Sequence, residues 1–145
     1  MTAVSVNQII NSLTGVTRLA ADEFASRLGA PLAQTDENPY WVFYDFKPAE
    51  PFASGELRLG KQADRALVIL SLPEASDLKR ADLDLSAWGQ LRGLDPNPRI
   101  PPEGADAYIY EVNGVQVSFQ FTHTSRRLRA VALEWPGKAE TGPGS

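Results

Sequence analysis

The sequence predicts an α+β fold: an N-terminal helical hairpin packed on one face of an antiparallel sheet of about six strands, in the order αα-βββ-long loop-βββ. Three observations predict it. Apolar residues recur at helical spacing before residue 30. They alternate with period two from residue 40 onward, and an Asn-Gly pair divides two alternating runs near the C-terminus.

The first helix starts from Ser5-Val6-Asn7-Gln8, which has the form of a capping box with Val4 and Ile9 at the staple positions. Ile9, Ile10 and Leu13 follow at helical spacing, and Gly15 is the expected left-handed end, so a helix is predicted over residues 6–14. Thr17 is the expected cap of a second helix. It precedes Asp22 and Glu23 and the apolar stripe of Leu19, Ala20, Phe24 and Leu28, and Gly29 and Pro31 stop the helix.

Residues 40–46 are aromatic and β-branched and end before Pro48 and Pro51, which makes them a strand. On it, Trp41, Phe43 and Asp45 share one face, and Tyr40, Val42, Tyr44 and Phe46 share the other. Both faces are therefore apolar, and either a second element such as the Trp88 segment covers the side away from the helices or aromatics stay exposed there. Residues 55–59 and 67–72 read as a hairpin, the second strand being a continuous apolar run expected to be central and buried on both faces.

Residues 74–107 scatter leucines and Trp88 among charges, and residues 95–104 read as an extended loop because Pro96, Pro98, Pro101 and Pro102 lack the amide donor. Residues 108–112 and 115–122 form a hairpin about Asn113-Gly114, with Val115, Val117, Phe119 and Phe121 on one face and Gln116, Ser118, Gln120 and Thr122 on the other. Thr124-Ser125 turns the chain into a last strand over residues 127–135. Residues 1–135 are expected to form one domain and residues 136–145 a flexible Pro/Gly-rich tail.

Composition excludes several chemistries. The 145 residues include 18 acids against 14 bases, one His and no Cys, for a net charge of −4. Disulfides, a cysteine nucleophile, Cys-based metal centres and a His-rich cage are ruled out, and neither a metal nor a cofactor is expected. No Walker loop, Rossmann fingerprint, zincin motif or Gly-x-Ser-x-Gly elbow occurs. Residues 1–16 carry no Lys or Arg and no long apolar run, so a cytoplasmic chain with no membrane segment is expected. Phe24-Ala25-Ser26-Arg27-Leu28-Gly29 has the outline of a helix-turn-helix start, but Ala30-Pro31 follows where a recognition helix must stand. Together with the negative charge, this argues against nucleic acid as a partner.

The remaining residues point to a non-enzymatic protein-binding module with an acidic, aromatic surface. Its most concrete form is a cytoplasmic immunity or inhibitor protein that masks a bacterial toxin or effector, the partner being basic. Trp88, Asp82, Asp84 and Asp95 are the expected partner-binding residues. The alternatives are a small-molecule binder or hydrolase-like enzyme with an anion or ligand site at His123, Arg126 and Arg127, and a secretion-system chaperone or adaptor. The alternating Asp82 and Asp84 lack the further oxygen ligands and the glycine of a calcium loop, so a solvated acidic edge is expected there in place of a metal site.

Overall fold

The computed structural model describes residues 2–62, 64–83, 85–97 and 104–135. Helices α1 (Thr2–Thr14) and α2 (Ala21–Leu28) precede β1 (Ala33–Glu37), β2 (Trp41–Phe46), β3 (Ser54–Gly60) and β4 (Ala66–Ser71). Two short 3-10 turns, Arg80–Asp82 and Leu85–Trp88, then precede β5 (Gly93–Asn97), β6 (Ala105–Val112), β7 (Val115–Thr122) and β8 (Leu128–Trp135). All strands lie in one sheet, in the order β1-β2-β3-β4-β8-β7-β6-β5, and every pairing is antiparallel. Each half is a four-stranded meander running from the sheet's edge to its centre, where β4 and β8 join them. The α+β class stands, with eight strands in place of about six.

The two extra strands are the edges. β1 is Ala-Gln-Thr-Asp-Glu, exposed along its whole length, and β5 carries Pro96 inside the segment expected to be loop. An edge strand hydrogen-bonds on one side only, so it tolerates proline and needs no apolar face, and alternation cannot mark it. Residues 98–103 of the expected loop, and the expected tail at 136–145, lie outside the described residues.

The helix ends also depart from the sequence reading. α1 starts at Thr2, which puts Ser5 inside the helix instead of at its cap. Gly15 is not left-handed. It closes α1 by bonding to Ser12 O, and a Cβ there would lie 2.8 Å from the Arg27 guanidinium. Arg27 uses that space to donate to Ser12 O at 3.2 Å, which ties α2 to α1, and it pairs with Glu23 within α2 at 3.3 Å. α2 begins after extended Ala20 rather than at Thr17, with Asp22 and Glu23 in its first turn and Arg27 in its last, as the helix dipole favours. Gly29, at φ 66°, ends it as expected.

One apolar cluster holds the fold together. Val6, Ile10 and Leu13 of α1 and Phe24 of α2 meet Leu57, Val68, Leu70, Val117, Phe119, Val131 and Leu133 of the sheet. The Phe24 and Trp135 rings meet edge to face at 5.1 Å. Leu83 and Trp88 of the 3-10 region enter the same cluster, and Trp88 packs 6.3 Å from Phe119. The Trp88 segment therefore lies on the same side of the sheet as the helices. β4 is central as expected but buried on one face only, with Leu67 and Ile69 half-exposed on the other. Asn113 and Gly114 make the expected turn with φ 53° and 80°. Among the described residues no helix is long and apolar enough to cross a membrane.

Candidate functional site

The register shows what the sheet presents on the side away from the helices. One row runs across all eight strands through Ala33, Asp45, Glu56, Ile69, Ala132, Ser118, Ile109 and Gly93. A second runs through Asp36, Phe43, Arg58, Leu67, Glu134, Gln116 and Glu111. The central positions of this face carry half-exposed Leu67 and Ile69 beside Ala132, Ser118, Gln116 and Glu134, and no described helix or 3-10 turn sends a buried side chain to it.

Carboxylates outnumber cations on the face. Asp36, Asp45, Glu56, Glu111, Glu134 and Asp95 occupy its ladder positions against Arg58, the Glu111 side chain being only 8% exposed, while Arg65 and Arg92 reach in from outside the ladder. Arg58 pairs with Glu56 at 2.8 Å and lies 5.4 Å above the Phe43 ring, and Arg65 covers Trp41 at 4.5 Å. Arg92 approaches Glu111 at 3.7 Å. Asp36, Asp45 and Asp95 are exposed with no ion pair among the described residues. Beside Asp45 and Glu56 an open depression of about 600 Å³ is floored by Ile69 and Ser71 and bordered by Pro31 and Lys47.

The expected partner-binding residues are not brought together. Trp88 is 5% exposed, so its ring is a core residue, and its buried Nε1 has no hydrogen-bond partner among the described residues. The Asp82 carboxylate accepts the Lys79 N–H at 2.9 Å and serves the start of a 3-10 turn. Asp84 lies outside the described residues. Of the four, Asp95 is exposed at the far edge of the open face. The aromatics found on this face are Trp41 and Phe43, together with Asp45, the set that strand alternation had grouped.

A second cluster occupies the sheet corner where the β7–β8 turn meets β6. The Asp106 side chain is 7% exposed and accepts from His123 Nδ1 at 3.0 Å, with Arg126 at 3.6 Å. A carboxylate can only accept there, so Nδ1 carries the proton and Nε2 is left on the outer side of the ring. Arg126 donates to Tyr108 Oη at 3.2 Å, and Arg80 stacks on the Tyr108 ring at 5.2 Å. Arg127 donates to the carbonyls of Glu74 and Ser76, both at 3.3 Å. Burial pushes the neighbouring Tyr110 hydroxyl above its usual range, and the Arg80 charge opposes that shift.

The hydroxyls nearby belong to the turn. Thr122 Oγ1 and Ser125 Oγ bond each other at 2.6 Å, and Thr122 Oγ1 also accepts the Arg127 N–H at 2.8 Å. His123, Arg126 and Arg127 were legible in the sequence, but Asp106, Tyr108 and Arg80 were missed. The signal for Asp106 was present. A two-residue Asn-Gly turn pairs Val112 with Val115, and counting back along the hairpin sets Asp106 opposite Phe121, two residues before His123.

Among the described residues no group of three or more metal-ligating side chains forms. Comparison of the chain with protein-family models, curated proteins and solved structures finds no match.

Proposed function

We propose that the chain is a non-enzymatic protein-binding module that docks a basic protein against the open face of its sheet. Its most concrete form is an immunity or inhibitor protein that masks a toxin or effector. The observation that carries this reading is the carboxylate-rich face with Trp41 and Phe43 upon it and no described helix packed against it. Half-buried aromatics beneath Arg58 and Arg65 supply anchoring area once those side chains move aside, and the surrounding acids supply steering charge for a cationic surface. The same carboxylates disfavour a second copy of this chain as the occupant, since two such faces would oppose like charges.

The test uses the product of the gene adjacent to its own, co-expressed with the full chain. A stoichiometric complex is expected on size exclusion, and it should weaken with rising salt. The double change Asp45→Lys with Glu56→Lys should dissociate it, while Arg126→Gly at the distant corner should leave it intact. A complex indifferent to the double change would overturn this use of the face, and absence of any complex would remove that protein as the partner and the immunity reading with it.

A further inference from the structure

We propose that the corner formed by Arg80, Tyr108, His123 and Arg126 is a binding site for a phosphate-type oxyanion, independent of the docking face. The chain is acidic overall, at −4, yet Arg80, Arg126 and Arg127 gather here with Asp106 as the one carboxylate ion-paired to any of them among the described residues. Asp106 is a single carboxylate shared between His123 at 3.0 Å and Arg126 at 3.6 Å. Arg80 is exposed and forms no ion pair among the described residues, its guanidinium resting on the Tyr108 ring. Arg127, next to Arg126, bonds carbonyl oxygens and a hydroxyl, neutral acceptors that leave its charge in place. Arg80 and Arg127 thus keep guanidinium charge that no ion pair among the described residues neutralises, and such charge attracts anions.

The backbone holds these cations in place before any ligand arrives. Arg126 stands at φ 59°, a left-handed conformation that glycine would adopt without strain. Its N–H donates to Thr122 O at 3.0 Å, and its own carbonyl accepts the Arg80 N–H at 2.9 Å. The two arginines are thus tied main chain to main chain, and both side chains arrive at Tyr108, one at the hydroxyl and one on the ring face. Asp106 fixes the imbalance further by holding the His123 ring at Nδ1, so that its other nitrogen is turned toward solvent, the side chain being 61% exposed.

That donor arrangement selects the ligand. A carboxylate is matched by a single coplanar guanidinium fork, whereas donors brought in from two separate segments suit a tetrahedral group. A nucleic-acid backbone would need the basic surface to continue beyond the corner, and exposed Glu74, Asp77 and Asp82 border it on the segment that carries Arg80. The ligand is therefore free phosphate or the phosphate of a small monoester.

The experiment is an amide-resolved NMR titration of the full chain with inorganic phosphate and, separately, with glycerol phosphate, each against chloride at equal ionic strength. Saturable shifts are expected at the amides of residues 80, 104–108 and 122–127. Arg80→Gln, and Arg126→Gly, which suits the positive φ, should each weaken binding about tenfold or more, the loss of one charge-assisted bond. Lys61→Gln, at the far edge, should leave affinity unchanged. Tighter binding of glycerol phosphate would assign the site to a monoester, and equal binding would assign it to the free ion. Shifts that grow without saturating, spread over the surface, or survive both arginine changes would overturn the proposal.

Discussion

Along β7, Val117 and Phe119 are fully buried among aliphatic and aromatic neighbours, whereas Gln116, Ser118 and Gln120, one residue away on the same strand, remain half-exposed. The same contrast runs across the sheet. Leu57 and Val68 are fully buried while Arg58 and Leu67, their neighbours in sequence, lie on the other side. Period-two alternation therefore divides the molecule into a face that supplies stability and a face that can be changed at little cost. Under the proposed docking role, this division would separate folding from recognition, since the open face could vary without touching the core.

The largest expected effect breaks the packed face. Phe119 meets Tyr110 edge to face at 5.8 Å and lies 6.3 Å from Trp88 and 6.5 Å from Phe121. Phe119→Ala should cost about 3–5 kcal/mol in denaturant unfolding, through lost burial and the cavity left between those rings. Next comes Gly55, where a Cβ would lie 2.4 Å from the ring of Phe46, its cross-strand partner. Gly55→Ala should cost about 1–3 kcal/mol, because the ring has to leave its place over the glycine.

On the open face the effect should nearly vanish. Gln120 sits between Ala130 and Ala107, and Gln120→Lys should change unfolding free energy by less than about 0.5 kcal/mol. A loss comparable to that of Phe119→Ala would show that the face is covered.

The smallest effects lie in exposed ion pairs. Hydrogen bonding to Arg18 lowers the Asp22 carboxyl below its usual range, and Lys61 does the same for Glu37. A depressed folded value means that each pair favours the folded state at neutral pH. That contribution is lost as pH falls from the ordinary carboxylate range through the depressed one. Carboxyl titration by NMR should show both midpoints low, with Arg18→Ala restoring Asp22 and Lys61→Ala restoring Glu37.

How much of this was legible in the sequence depends on where each residue lies. The six inner strands follow from alternation and turn chemistry, because a strand paired on both sides must bury one face and so repeats with period two. β1 and β5 escaped because nothing buries them. Strand alternation also grouped Trp41, Phe43 and Asp45 correctly, yet it could not say which side the helices would take. Trp88 shows the converse. Set among charges it reads as a surface anchor, but its 3-10 turn rolls it into the core beside Phe119, a long-range contact invisible to local pattern. The corner cluster was half legible, since His123 and its arginines are adjacent in sequence, while Asp106 and Tyr108 arrive through hairpin register and Arg80 through a distant segment.

The openness of the sheet face can be measured directly, because the chain contains no cysteine and a single introduced thiol has no background. Ser118→Cys, at the middle of the open face, should react with a soluble thiol reagent nearly as fast as in the unfolded chain, and slow down when the partner protein is added. Protection in the free protein as strong as that of Val117→Cys on the packed side would contradict the account.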